Sequence, residues 1–229
     1  MKVLALGAHP DDIEIYMYGL LSNFASRNNQ IKVVVATDGA RGTVKKSDNL
    51  ASIRKKEAIN GLSKFGTPIF LDFPDGGLSF NNEYFKRIKT FFDNIEVDLV
   101  ITHSPEDYHP DHRALSNYVI ESVGFKAPIL FADTLMGVNF VPEIYTDITE
   151  HFEEKKRAIM CHKSQNPKKF KDAVTLLNRF RSAQCNAPDK TYAECYRSFS
   201  RFPYPDISSL IPNKMQIKPY YKNHKYSFL

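Results

Sequence analysis

A chain of 229 residues with 42% hydrophobic and 25% charged content has the make-up of a soluble globular protein, and its length suffices to bury a proper core. That composition excludes a disordered or fibrous class, and no apolar run approaches the roughly 20 residues of a membrane span. A net charge of +5 is compatible with a phosphate-bearing ligand and does not require one.

Apolar runs alternate with helical patterns along most of the chain. Residues 3–8 read as a buried parallel strand, rich in aliphatic side chains. A helix over about 12–27 turns Leu20, Leu21, Phe24 and Ala25 inward and ends at Asn28-Asn29. A second strand covers 31–37. The next helix runs from about 49 to 65, capped by Ser47 or Asp48 and stopped by Gly66. A third strand at 68–73 precedes a helix with Phe85, Ile88, Phe91 and Phe92 inward. A fourth strand follows at 97–102, then a helix at about 111–122 and a fifth strand at 129–132. Farther on the pattern loosens to an edge strand at 145–149, helices at 150–163 and 168–182, and an irregular, proline-bearing end. This alternation predicts an α/β fold, a Rossmann-like doubly wound, mostly parallel sheet. One domain over 1–229 is expected, with a core at 1–135 and a C-terminal extension at 136–229.

Two histidine-aspartate clusters stand at the ends of predicted strands, where open α/β sheets keep their ligands. The first is Ala8-His9-Pro10-Asp11-Asp12 and the second His109-Pro110-Asp111-His112. Two such clusters need charge compensation such as a metal ion. Catalytic zinc takes three nitrogen or oxygen ligands and leaves one position for water. His9, Asp12 and His112 supply that set; Fe2+ or another divalent ion suits the same donors. Asp11 and His109 are left beside the metal, Asp11 as general base and His109, protonated, as donor to an oxyanion. Asp111 is placed to hydrogen-bond one of the imidazoles from behind. Loops after the first and fourth strands share an ion only if those strands are close, which selects the order 3-2-1-4-5. No G-x-G-x-x-G follows the first strand, so a dinucleotide is not expected.

The two clusters together resemble the PIG-L/LmbE-like zinc N-deacetylases. Thr37-Asp38-Gly39-Ala40-Arg41-Gly42 is similar to that family's T-x-G-x-x-G loop, and Arg54-Lys55-Lys56-Glu57-Ala58 to its R-x-x-E-A helix. Phe73-Pro74-Asp75-Gly76 resembles the loop after its third strand. Lys156-Arg157-Ala158 and His162-Lys163-Ser164-Gln165 resemble its K-x-x-A and H-x-S-Q signatures. The likeness covers residues 1 to about 200 and implies the ligand, base and oxyanion roles just given. The chain departs from the family at Tyr16 and Tyr18, where Gly is common, and in the basic run Arg41, Lys45 and Lys46.

The resemblance also implies substrate contacts. Arg54, which by itself reads as part of a solvated helix face, becomes a fork for a sugar or phosphate oxygen. Asp75 becomes an acceptor for a sugar hydroxyl, and Asp75-Gly76-Gly77 reads equally as a turn. The expected activity is hydrolysis of the acetamide of an N-acetylated amino sugar conjugate, releasing acetate and a free amine. Other readings are a zinc esterase or phosphoesterase, or a noncatalytic carbohydrate-binding protein with a vestigial site. The ligand is a small molecule rather than nucleic acid. Lys214, Lys218, Lys222 and Lys225 with Tyr220, Tyr221 and Tyr226 read either as a basic-aromatic patch for nucleic acid or anionic lipid or, favoured because the basic residues are spaced rather than clustered, as a segment that wraps the domain or lines a homo-oligomer interface. Cys161, Cys185 and Cys195 form no C-x-x-C pair, and an odd count argues against a disulfide framework. Met1-Lys2 and the six small or apolar residues after it are too short for a signal-peptide core. A cytoplasmic location follows.

Overall fold

A computed structural model describes residues 1–42, 49–79 and 81–216. The proposed helix caps Ser47 and Asp48, together with Lys45, Lys46 and the tail beyond 216, lie outside the described residues. Seven strands form one sheet: β1 (Lys2–Gly7), β2 (Gln30–Thr37), β3 (Ile69–Phe73), β4 (Leu99–Thr102), β5 (Ile129–Ala132), β6 (Ile144–Asp147) and β7 (Ala193–Ser198). Their order is β3-β2-β1-β4-β5-β7-β6. The expected 3-2-1-4-5 order is therefore present and parallel, and β7 and β6 extend it with antiparallel pairings.

Period-two alternation divides the core. Val3 and Ala5 of β1, with Leu99 and Ile101 of β4, pack on one face with Ile13, Leu20, Phe24, Ala58, Phe152 and Val174. Leu4 and Leu6, with Val34, Val100 and Ile129, face Ile88, Phe92, Leu115 and Val119 on the other. The first face is covered by α1 (Asp12–Tyr16), α2 (Tyr18–Ala25), α3 (Leu50–Gly61), α6 (Phe152–Ile159) and α7 (Pro167–Gln184). The second is covered by α4 (Asn82–Asp93) and α5 (Pro110–Val123).

Three expectations are corrected. The helix expected over 12–27 is two helices that meet at Met17, whose φ of −132° leaves the helical region. The break exposes the first N–H groups of α2, and Glu194 accepts from Gly19 N and Leu20 N, both at 2.8 Å. The carboxylate of Glu194 is itself held by Lys155 Nζ and the Tyr196 hydroxyl, each at 2.7 Å. Strand β7, which carries Glu194, was missing from the sequence expectation because its charged residues break the apolar pattern. The helix expected over 150–163 is shortened to α6 between 3-10 turns. At the sheet edge, residues 213–215 run along β6, with Asp147 N donating to Asn213 O and Met215 N to Tyr145 O. The start of the tail thus wraps the domain. Among the described residues no helix is long and apolar enough to cross a membrane, and the three cysteines are free thiols.

Candidate active site

The loops leaving β1, β2, β3 and β4 meet at the C-terminal edge of the sheet, where the strand order reverses between β1 and β4. They enclose a cavity of about 540 Å³ lined by His9, Asp11, Asp12, His109 and His112, among others. Pro110 opens α5, and His109 caps it, its Nδ1 accepting from Asp111 N at 3.2 Å. This seats His112 one turn into the helix. In the first cluster the chain turns directly from β1 into α1, and His9 N donates to Asp12 Oδ2 at 2.7 Å.

Three overlapping donor sets converge within 4.8 Å: His9, His109 and His112; Asp12, His103 and His112; His9, Asp75 and Asp111. Their members differ in what else they bond. His109 Nδ1 is taken by its helix cap, and His103 Nε2 accepts from Ala8 N at 3.0 Å while its ring stacks on His112 at 3.7 Å. Asp111 takes the N–H groups of Gly76 and Leu78, and Asp75 that of Arg41. His9 Nδ1, Asp12 Oδ2 and His112 Nε2 face one another with all three separations at 3.3 Å, and Asp12 Oδ2 also accepts from His9 N and meets His103 Nε2 at 3.1 Å. Tetrahedral zinc with bonds of about 2.0 Å sets neighbouring ligand atoms about 3.3 Å apart. The donor set therefore fits a tetrahedral divalent ion.

Charge tells the same story. Asp11, Asp12, Asp75, Asp107 and Asp111 are all buried around the site, with Arg54 the buried guanidinium among them. The imidazoles respond to this excess of carboxylate. Burial opposes protonation of His112, yet Asp12 and Asp107 outweigh it and raise the ring to about 9. His9 is likewise raised well above its usual value, the bonds to Asp111 and Asp12 overcoming burial. For Asp12, burial is overcome by His112 and His103, which hold the carboxyl well below its ordinary range. A cluster that draws positive charge this strongly is suited to a cation.

The imidazoles of His9 and His112 are both held from behind. His112 Nδ1 meets Asp107 Oδ2 at 3.0 Å, and His9 Nε2 meets Asp111 Oδ2 at 3.3 Å and Asp75 Oδ1 at 3.2 Å. Asp75 thus turns toward His9, where the sequence suggested a sugar hydroxyl. Arg54 also turns inward. Its guanidinium donates to Asp11 Oδ1, Pro10 O and Gly39 O, each at 3.0 Å, leaving Nε buried without an acceptor among the described residues. It clamps Asp11, whose φ of 146° is unusual for a residue with a side chain. Burial raises the Asp11 carboxyl to about 6, against the pull of Arg54.

His109 departs from the protonated form expected. Burial lowers its pKa, and His112 and His9 lower it further. With Nδ1 accepting the backbone N–H of Asp111, the neutral ring carries its proton on Nε2. It is a donor without being a cation.

His103 and Asp107 were not singled out in the sequence. Both follow β4 in the stretch before the second cluster, and a His-Ser-Pro-Glu-Asp run at a strand exit was the available signal. The H-x-S-Q segment is anchored by acids on α1 and α3. His162 Nε2 meets Glu14 Oε1 at 2.6 Å, and Glu57 accepts from Ser164 N and Oγ at 2.9 and 2.6 Å. The anchoring delivers Gln165 to the cavity wall.

Relatives share this architecture. The diacetylchitobiose deacetylase of Thermococcus kodakarensis is 28% identical over 191 residues, covering 72% of this chain and 70% of that protein. The structure of N,N'-diacetylchitobiose deacetylase from Pyrococcus horikoshii aligns with a TM-score of 0.77 and 26% identity, over 92% of this chain and 88% of that one. A 4-carboxy-2-hydroxymuconate hydratase from Pseudomonas putida aligns with a TM-score of 0.76 over 90% and 99% of the two chains; at 20% identity it shares the fold alone. The family model described as PIG-L, GlcNAc-PI de-N-acetylase, matches residues 4–123, and the chain belongs to that family.

Proposed function

We propose that this chain is a zinc-dependent hydrolase that removes the acetyl group from an N-acetylated amino sugar conjugate, a small-molecule substrate, releasing acetate and a free amine. The observation that carries it is the equilateral triangle of His9 Nδ1, Asp12 Oδ2 and His112 Nε2, with the Asp11 carboxyl, held by Arg54, lining the same cavity outside the triangle. A divalent ion held by these three would supply Lewis acidity, lowering the pKa of a water toward about 7 and polarising the amide carbonyl.

The chain's own groups do the rest. Asp11, held by Arg54 and raised by burial to about 6, takes the proton of the attacking water and returns it to the leaving nitrogen. His109 donates its Nε2 proton in a hydrogen bond to the oxygen that gains charge as the carbonyl is attacked. Asp111, Asp75 and Asp107 fix the ligand imidazoles in orientation. No acyl-enzyme is needed, because the attacking group is water and the base lies next to it.

The test joins metal content to product. Elemental analysis should find about one divalent ion per chain, and acetate should appear in step with free amine from an N-acetylglucosaminide. A His112→Ala variant with full metal occupancy would sink the ligand assignment. Release of phosphate or of an ester's alcohol, with amides untouched, would sink the deacetylase reading.

A further inference from the structure

The loop after β2 brings to the cavity a charge that the proposed chemistry does not use. Arg41 lines the same cavity as the metal ligands. Its backbone N–H donates to Asp75 Oδ2 at 2.9 Å. Its guanidinium lies against Gly76, so that a Cβ added there would stand 2.7 Å from Nη1. Gly76 has a φ of 73°, a conformation suited to glycine, and its N–H holds Asp111 at 2.7 Å. The guanidinium is thus seated on the turn that steadies His9, with its loop tied at the backbone.

Arg41 differs from Arg54 in what it is paired with. Arg54 has both Nη groups engaged, by Asp11 and two carbonyls. Among the described residues Arg41 has no carboxylate within the 4.0 Å of an ion pair, since the facing oxygen of Asp75 is engaged by its backbone N–H. Away from the acids and imidazoles the lining mixes Ile15, Leu135 and Phe170 with Tyr16, Tyr108 and Gln165. An exposed guanidinium at the cavity, resting on the Gly76 turn and without an acid among the described residues, matches the planar fork of a phosphate or carboxylate.

We propose that Arg41 is a specificity-determining residue that selects conjugates bearing an anionic group, phosphate or carboxylate, next to the amino sugar. The identity of the sugar rests on the deacetylase reading; the preference for negative charge does not.

Binding to the metal-loaded protein is measured by calorimetry with three amines that cannot be deacetylated: glucosamine 1-phosphate, carboxymethyl glucosaminide and, with a neutral aglycone, methyl glucosaminide. Acetate release from their N-acetyl forms is followed in parallel. The anionic ligands should bind about tenfold or more tightly than the neutral one, the span of one charge-assisted hydrogen bond. That margin should shrink with added salt. It should fall about tenfold in Arg41→Gln and be partly kept in Arg41→Lys. A margin for both anions assigns the preference to charge, and a margin for glucosamine 1-phosphate alone assigns it to phosphate. Equal affinity for charged and neutral ligands, or a margin untouched by Arg41→Gln, overturns the proposal. Acetate release without a charge margin leaves deacetylation standing and removes this role for Arg41. A charge margin without acetate from any conjugate does the reverse.

Discussion

Replacing Arg54 with alanine separates two roles that the sequence and the geometry assign differently. The sequence motif points to a substrate fork, whereas the structure spends both Nη groups on Asp11, Pro10 and Gly39, each at 3.0 Å. With the side chain only 4% exposed, removal leaves a buried carboxylate without its partner, which costs about 3–5 kcal/mol. For a chain of this size each kcal/mol lowers Tm by about 2–4 °C, so Arg54→Ala should melt about 6–20 °C lower. Catalysis should suffer in kcat, by about 10²-fold, because Asp11 loses the clamp that aligns it, while KM changes little. Metal should be retained, since none of the three ligands touches Arg54. Arg54→Lys should recover only part of the loss, because one ammonium cannot reach three acceptors in the geometry of a planar fork. Differential scanning calorimetry, elemental analysis and steady-state kinetics on the same preparation check each step. A variant with unchanged Tm and kcat but a raised KM would refute this reasoning and return Arg54 to the substrate.

Two further outcomes follow from the contacts. Asp11→Asn should keep metal and fold yet lose turnover by about 10² to 10⁴, the usual contribution of a positioned base. Acetate release near the normal rate would refute that role, and loss of metal would show that Asp11 and Asp12 exchange roles. Asp107→Asn should weaken metal binding by about 10- to 100-fold in a chelator competition, because His112 loses the carboxylate that fixes its Nδ1 proton. Unchanged affinity would mean that the stacked His103 ring suffices to hold it.

The parallel half of the sheet was legible because each of its strands is an apolar run after a helix-period segment, and burial on both faces demands such runs. Sharing one ion between two strand exits then fixed the neighbours β1 and β4. The antiparallel half was less legible. In β7, Glu194 sits where a buried strand normally shows an apolar residue. Its partners Lys155, Tyr196 and the α2 N–H groups come from distant parts of the chain. The same interaction hid the helix break at Met17, for nothing local to residues 12–27 marks a site whose free N–H groups are met by a carboxylate about 175 positions away.

The candidate site divides along the same line. The residues proposed as ligands and base stand out in the sequence because metal coordination demands particular residue types at short spacing, and the fold brings those two turns together. The groups that orient them obey no spacing rule. Asp107 is two residues from His109 and donates nothing to a recognisable motif, yet it meets His112 at 3.0 Å because both leave the same strand-to-helix turn. The protonation state of His109 was out of reach for the same reason. A histidine in H-P-D-H can be read as a cation or a neutral donor, and the choice depends on where Nδ1 points. In the folded chain it caps α5, so the proton is placed on Nε2 without any need for positive charge. A neutral donor also fits its surroundings better. His9 and His112 lie 4.7 and 4.6 Å away, centroid to centroid, and a divalent ion held between them would make a cationic His109 costly. The helix cap thus does two jobs, starting the helix that presents His112 and setting the tautomer that lets His109 act beside the metal.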